Sequence, residues 1–185
     1  MSKDSELDFT RLTEPAPPPS PGKVARAREE ASTGGPQLAK AGFYVAMARH
    51  ASSGPARPNA GERHTILVVE DDQALSTLVG EVMSTAGFLV RAARNRAEVN
   101  AQMNMAPMPD LVLLDVALPD ADGFQILERI RAHPKIAKMP VILMTGKSEI
   151  TDVARGLALS ADGYVTKPFR ISALVAAVKT VLGLT

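Results

Sequence analysis

Five polar residues stand out by where they fall. Glu70 and Asp71 follow the apolar run Thr65-Ile66-Leu67-Val68-Val69, and Asp115 follows Leu111-Val112-Leu113-Leu114. Thr145 ends Pro140-Val141-Ile142-Leu143-Met144, and Lys167 ends Gly163-Tyr164-Val165-Thr166. Three carboxylates brought to one rim repel each other unless a positive group joins them. They offer only oxygen, which suits a hard divalent ion that keeps some of its waters, Mg²⁺ above all. A carboxylate beside such an ion can attack phosphorus and give an acyl phosphate. Thr145 can hydrogen-bond one phosphoryl oxygen, and Lys167 supplies a point charge for another. An acid at a strand end is, taken alone, more often a cap or a solvated loop residue. Asp72 and Asp122 fit that plainer role at helix starts, and with Asp120 they are left out of the site. Five such groups at the ends of four separate runs are hard to get from packing alone.

The elements that must position them follow from the pattern between the runs. Short β-branched apolar stretches read as strands buried on both faces. Helical periodicity separates them: Leu75, Leu78, Val79, Val82 and Met83 before Gly87, a poorer helix over 96–105 capped by Asn95, and Phe124, Ile126, Leu127 and Ile130 after Asp122. A helix over 149–159 and a last one over 171–182 complete the series, while Phe88-Leu89-Val90-Arg91-Ala92 suits a sheet edge. Five strand–helix units joined by short connections over 65–185 predict an α/β, doubly wound domain with a parallel sheet. Ligands in such a domain collect at the carboxyl ends of the strands, where the five polar residues lie.

The segments ILVVEDDQALSTLV and LVLLDVALPDADGFQIL, the pair Thr145-Gly146 and the run YVTKPF resemble the receiver domain of bacterial response regulators, end to end over 65–185. That resemblance implies a (βα)5 flavodoxin-like fold with a five-stranded sheet of order 2-1-3-4-5, and a stand-alone, chemotaxis-regulator-like signalling protein of a two-component system or phosphorelay. It implies that Asp115 is the phosphoacceptor for a histidine kinase or histidine phosphotransfer protein. Glu70, Asp71 and Asp115, with the backbone carbonyl of Ala117, would hold Mg²⁺. Thr145 and Tyr164 would form the switch, Lys167 would hold the phosphate, and the Lys167–Pro168 bond would be cis. The family's usual contact surface becomes residues 148–182, the expected dock for an unidentified downstream protein. Such a chain catalyses only its own Mg²⁺-dependent phosphorylation and dephosphorylation. It is expected to be a monomer or a weak phosphorylation-dependent dimer.

Three departures from the family pattern carry expectations of their own. Leu118 and Ala121 stand where many relatives have methionine, a conservative change. Ser160 stands where the family turn has glycine, so the preceding helix is expected to end differently. Ala117 and Lys147 occupy the two positions that tune dephosphorylation, and neither orients an attacking water, which implies a long-lived phosphoryl group. Ala117 also stands where haloacid-dehalogenase-type phosphatases need a second aspartate, so that enzymatic alternative is disfavoured. Glu70-Asp71-Asp72 is the electrostatic opposite of a glycine-rich nucleotide loop. A degenerate receiver serving as a scaffold is the remaining alternative.

The composition is consistent with this. The 185 residues carry 21 basic and 20 acidic side chains, too balanced for an electrostatic nucleic-acid binder. Cysteine is absent, which removes disulfides and thiolate metal sites. There is no run long enough to cross a bilayer and no secretory signal, so a cytoplasmic protein without membrane or nucleic-acid partners is expected. With Thr185 closing the last helix, no DNA-binding output domain is expected. Residues 1–63 differ in character: eight of the 14 prolines fall before residue 65, and bulky apolar residues are few. They read as a mostly disordered, Pro-rich arm and linker ahead of a receiver at 64–185, with a short helix over 37–50 as its one candidate element.

Overall fold

The computed structural model describes residues 7–9, 19–45, 62–146 and 150–184. In chain order the elements are α1 (Pro21–Ala41), β1 (Phe43–Val45), β2 (Thr65–Val69), α2 (Gln73–Thr85), β3 (Leu89–Ala93), α3 (Arg96–Asn104), β4 (Leu111–Asp115), α4 (Gly123–Ala132), β5 (Val141–Thr145), α5 (Ile150–Ala158), β6 (Gly163–Thr166) and α6 (Ile171–Val181). Every residue of β2, β4 and β5 is buried, as expected of strands covered on both faces. Alternation divides them. Ile66, Val68, Leu113, Ile142 and Met144 pack with α2 and α6. Leu67, Val69, Val112, Leu114 and Leu143 face α3, α4 and α5. Edge strand β3 is only half covered, which accounts for its mixed sequence. Within α2, Leu78 faces solvent, and the buried face is Ser76, Val79 and Met83.

The sheet order is β1-β6-β5-β4-β2-β3. It contains the expected five-strand order intact, and every pair from β6 to β3 is parallel. The expectation of five strands is corrected to six: β1 adds antiparallel to the free edge of β6. An open sheet edge presents unpaired backbone donors and acceptors, and β1 satisfies them.

The arm is corrected as well. Its helix is α1, over 21–41 rather than 37–50, and the chain turns at Gly42 (φ 79°) into β1; residues 46–50 lie outside the described residues. Pro21 opens the helix, at the position where a missing N–H costs nothing. The stretch Val24-Ala25-Arg26-Ala27-Arg28-Glu29-Glu30-Ala31 is rich in good helix formers. Ala27 and Ala31, one turn apart, are buried where α1 packs along α5. That tertiary contact carries the helix through Gly34-Gly35-Pro36, which read locally as a break.

Further back, Leu7 and Phe9 are buried against α3 and α4. The Asn104 side chain accepts from the Leu7 N–H (3.2 Å) and donates to its carbonyl (2.8 Å). Asn100 accepts from the Phe9 N–H (3.0 Å), and Arg129 donates to the Asp8 carbonyl (3.1 Å). Ordering three residues costs about 1–2 kcal/mol each, and burying two large apolar side chains returns about 1.5–3 kcal/mol each. The tether is therefore near balance, and the four hydrogen bonds fix its register. Among the described residues no helix is long and apolar enough to cross a membrane.

Candidate functional site

The parallel register sets the site. Val69 pairs with Leu114, so Glu70 and Asp115 leave β2 and β4 side by side. Asp115 pairs with Met144 and Thr145 with Thr166, which brings Thr145 and Lys167 to the same rim. The Thr145 carbonyl accepts from the Lys167 N–H at 2.7 Å and fixes the height at which the lysine leaves β6. The Lys167–Pro168 bond is cis, as expected.

At the rim, one carboxylate oxygen from each of Glu70, Asp71 and Asp115 lies within 4.8 Å of the others. Glu70 and Asp115 are buried, whereas Asp71 is exposed. The Lys167 ammonium bridges the two buried acids, donating to Glu70 Oε2 and, at 2.8 Å, to Asp115 Oδ2. The other acceptor oxygen, Asp115 Oδ1, takes the Ala117 N–H at 3.0 Å, so the carboxylate plane is held from both sides. Burial holds the Glu70 carboxyl above its ordinary range, reinforced by the Asp115 charge and only partly offset by the hydrogen bond from Lys167. Burial alone would lower Lys167, but hydrogen bonds to Asp115 and Glu70 and their charges outweigh it and raise the ammonium above its usual value. One cation against three acids leaves the rim short of positive charge. That shortage, with an all-oxygen donor set, fits a hard divalent ion such as Mg²⁺.

A cleft of about 870 Å³ opens over Asp115, walled by the loop 116–122, Thr145, Gly146 and Arg155. Asp72 and Asp122 take the capping roles read from the sequence: Asp72 accepts from the Ala74 and Leu75 N–H groups, and Asp122 from that of Phe124. Asp120 accepts from the Arg96 N–H and pairs with its side chain. Tyr164 is fully buried, with its hydroxyl against Gly156 of α5, where a Cβ would collide with it. Tyr164, which the family resemblance makes half of the switch, thus has its ring inside in this structure. Lys147 lies outside the described residues.

Sequence reasoning missed Arg155. From α5 it pairs with Asp122 at 3.0 Å and stacks 4.2 Å over the Phe124 ring, tying α5 to the loop beyond Asp115. Its only sequence signal was a cation in a helix facing the acceptor loop, visible once those two elements are placed together.

The model of the response regulator receiver domain matches residues 66–179, so α1 and β1 lie outside the match. The transcriptional regulatory protein GltR of Pseudomonas aeruginosa is 41% identical over 118 residues, 64% of this chain and 48% of GltR. The phosphate regulon transcriptional regulatory protein PhoB of Rhizobium meliloti is 39% identical over 119 residues, 63% of this chain and 51% of PhoB. The chain thus spans about half the length of these curated relatives. Among solved structures, a response regulator from Chloroflexus aurantiacus superposes with a TM-score of 0.62 at 33% identity, covering 66% of this chain and 99% of that one. The chemotaxis protein CheY4 of Vibrio cholerae superposes with a TM-score of 0.62 at 25% identity, covering 65% of this chain and all of that one.

Proposed function

Because the chain belongs to the response regulator receiver domain family, we propose that Asp115 accepts a phosphoryl group from the phosphohistidine of a histidine kinase or a histidine phosphotransfer protein. In that step an Asp115 oxygen attacks phosphorus, the P–N bond breaks, the histidine nitrogen leaves with its electron pair, and an aspartyl phosphate remains. Glu70, Asp71, Asp115 and the Ala117 carbonyl would hold Mg²⁺. A bound Mg²⁺ offsets the negative charge between the carboxylates and the phosphoryl oxygens. The Ala117 N–H orients the acceptor carboxylate, Lys167 follows the charge from the carboxylate to the phosphoryl group, and Thr145 hydrogen-bonds a phosphoryl oxygen. Thr145 and Tyr164, on neighbouring strands, form the switch pair.

The chain modifies itself and turns over no separate substrate, and its output is contact with another protein. The observation that carries this reading is the Lys167 ammonium shared between Glu70 and Asp115, where Asp115 also lines an open cleft with Thr145. Incubation with acetyl phosphate and Mg²⁺ tests it by intact mass. One added phosphoryl group is expected, lost with EDTA and in Asp115→Ala, and persisting well beyond seconds after the donor is removed. Equal labelling of Asp115→Ala contradicts the assignment.

A further inference from the structure

The surface formed by α5, β6 and α6 is already occupied. Alpha-helix α1 lies along α5, and β1 pairs with β6 in the register Phe43↔Val165, Tyr44↔Tyr164 and Val45↔Gly163. Phe43 and Val45 pack on the side of α6, with Leu174, Ala177 and Val178. Tyr44 points to the other side, where its hydroxyl donates to Glu30 of α1 at 3.0 Å and ties strand to helix. The domain's own side of this contact is cut to size. A Cβ on Gly163 would stand 2.9 Å from the Tyr44 carbonyl oxygen. A side chain at 163 is therefore incompatible with β1 in its present place.

The stretch 166–170 joins this contact to the acidic rim. Lys167 holds Glu70 and Asp115. The residue before it, Thr166, donates its N–H to the Gly42 carbonyl at 3.3 Å. Three residues after it, Arg170 donates to the carbonyls of Lys40 (3.2 Å) and Ala41 (2.9 Å), the last of α1. Arg170 stands at the N-cap position of α6 yet makes no side-chain cap there, and these two carbonyls take its guanidinium.

We propose that residues 21–45 are an intramolecular occupant of the α5–β6–α6 surface, latched by Arg170 and Gly42, and that a phosphoryl group on Asp115 releases them through the 166–170 turn. This rests on Asp115 being the phosphoacceptor. The latch is matched to the position Lys167 takes between two carboxylates. When Asp115 becomes an acyl phosphate, its negative charge moves outward onto the phosphoryl oxygens and the ammonium follows. The turn moves with it and withdraws the Thr166 N–H and the Arg170 guanidinium from α1 and Gly42. Tyr164 is buried, and the β1 segment of the arm pairs alongside it. A protein that docks on 148–182 competes with the arm and gains access when the arm leaves. Because binding linkage is reciprocal, loosening the arm also tightens occupancy of the Asp115 site.

Amide hydrogen exchange of the full chain in Mg²⁺, with and without beryllofluoride as the phosphoryl mimic, tests this. The ¹⁹F resonance of bound beryllofluoride reports occupancy in the same sample. Exchange across 42–45 and 163–166 is expected to accelerate about fivefold or more on binding. In Arg170→Ala and in Gly163→Val, beryllofluoride is expected to bind about fivefold or more tightly than to the wild type. A bound resonance with unchanged protection of those segments overturns the latch and leaves the phosphoacceptor intact. Absence of both a bound resonance and acetyl phosphate labelling overturns the phosphoacceptor, and the latch with it.

Discussion

Glu70 is the least comfortable residue of the rim. It is buried beside Asp115, and half of one shared ammonium does not compensate both acids. Such a group costs stability, which a bound cation would offset. Replacing it by the isosteric amide, Glu70→Gln, removes the repulsion and leaves a one-to-one Lys167–Asp115 pair. The variant is expected to unfold at higher urea, by about 1 kcal/mol in the absence of Mg²⁺. It is also expected to need about tenfold more Mg²⁺ for half-maximal labelling. Denaturation and labelling titrations check the two halves separately, and a variant that is less stable without Mg²⁺ contradicts the reading of Glu70 as strained. Glu70, Asp115, Thr145 and Lys167 were legible in the sequence because each closes an apolar run, and parallel strands align such ends at one rim. Arg155 and Arg170 were not legible. Each acts across a contact between elements, and nothing in a helix's own periodicity says which neighbour its cation will meet.

At the scale of elements, the turn after α5 shows how a local irregularity is held in place. Ser160 adopts φ 69°, the left-handed conformation a glycine takes without penalty. The helix nonetheless ends much as it would with glycine: the Ser160 N–H reaches the Leu157 carbonyl at 3.0 Å and the Ala161 N–H reaches that of Gly156 at 2.8 Å. Arg131 holds the strained turn from outside, bonding the Ser160 carbonyl at 2.9 Å and pairing with Asp162 at 2.7 Å. Only backbone atoms of residue 160 take part in these bonds. Ser160→Gly is therefore expected to stabilise the protein by about 0.5–1 kcal/mol, with labelling of Asp115 unchanged. Thermal unfolding reads it, and a lowered midpoint shows that the serine side chain has a role of its own. The five core strands and their helices were readable because burial on both faces leaves uninterrupted apolar runs. The helix α1 was not, because Gly34-Gly35-Pro36 argues locally against it while the force that forms it, packing of Ala27 and Ala31 along α5, is nonlocal.

For the whole molecule, the arm changes what the domain exposes. Leu7 and Phe9 dock on α3 and α4, α1 covers α5, and β1 closes the edge at β6. The described arm thus meets four of the five helices of the (βα)5 unit and the sheet edge at β6, leaving β3 as that unit's open edge among the described residues. Three residues, Phe43-Tyr44-Val45, are too short a run to announce a strand, so the sixth strand became visible only with β6 beside it. Within the face expected to receive a partner, α5 and β6 are covered by the chain itself, so the proposed latch runs from the acidic rim to the arm. The proposed function turns on one group at the rim, the Asp115 carboxylate as nucleophile. Borohydride reduces an aspartyl phosphate to homoserine and spares free carboxylates. After treatment with acetyl phosphate and Mg²⁺, then borohydride, peptide sequencing by mass spectrometry is expected to find homoserine at position 115 and at no other aspartate. Homoserine at Asp71, Asp72 or Asp120 with Asp115 unchanged, or no homoserine in a sample that has gained a phosphoryl group, would contradict it.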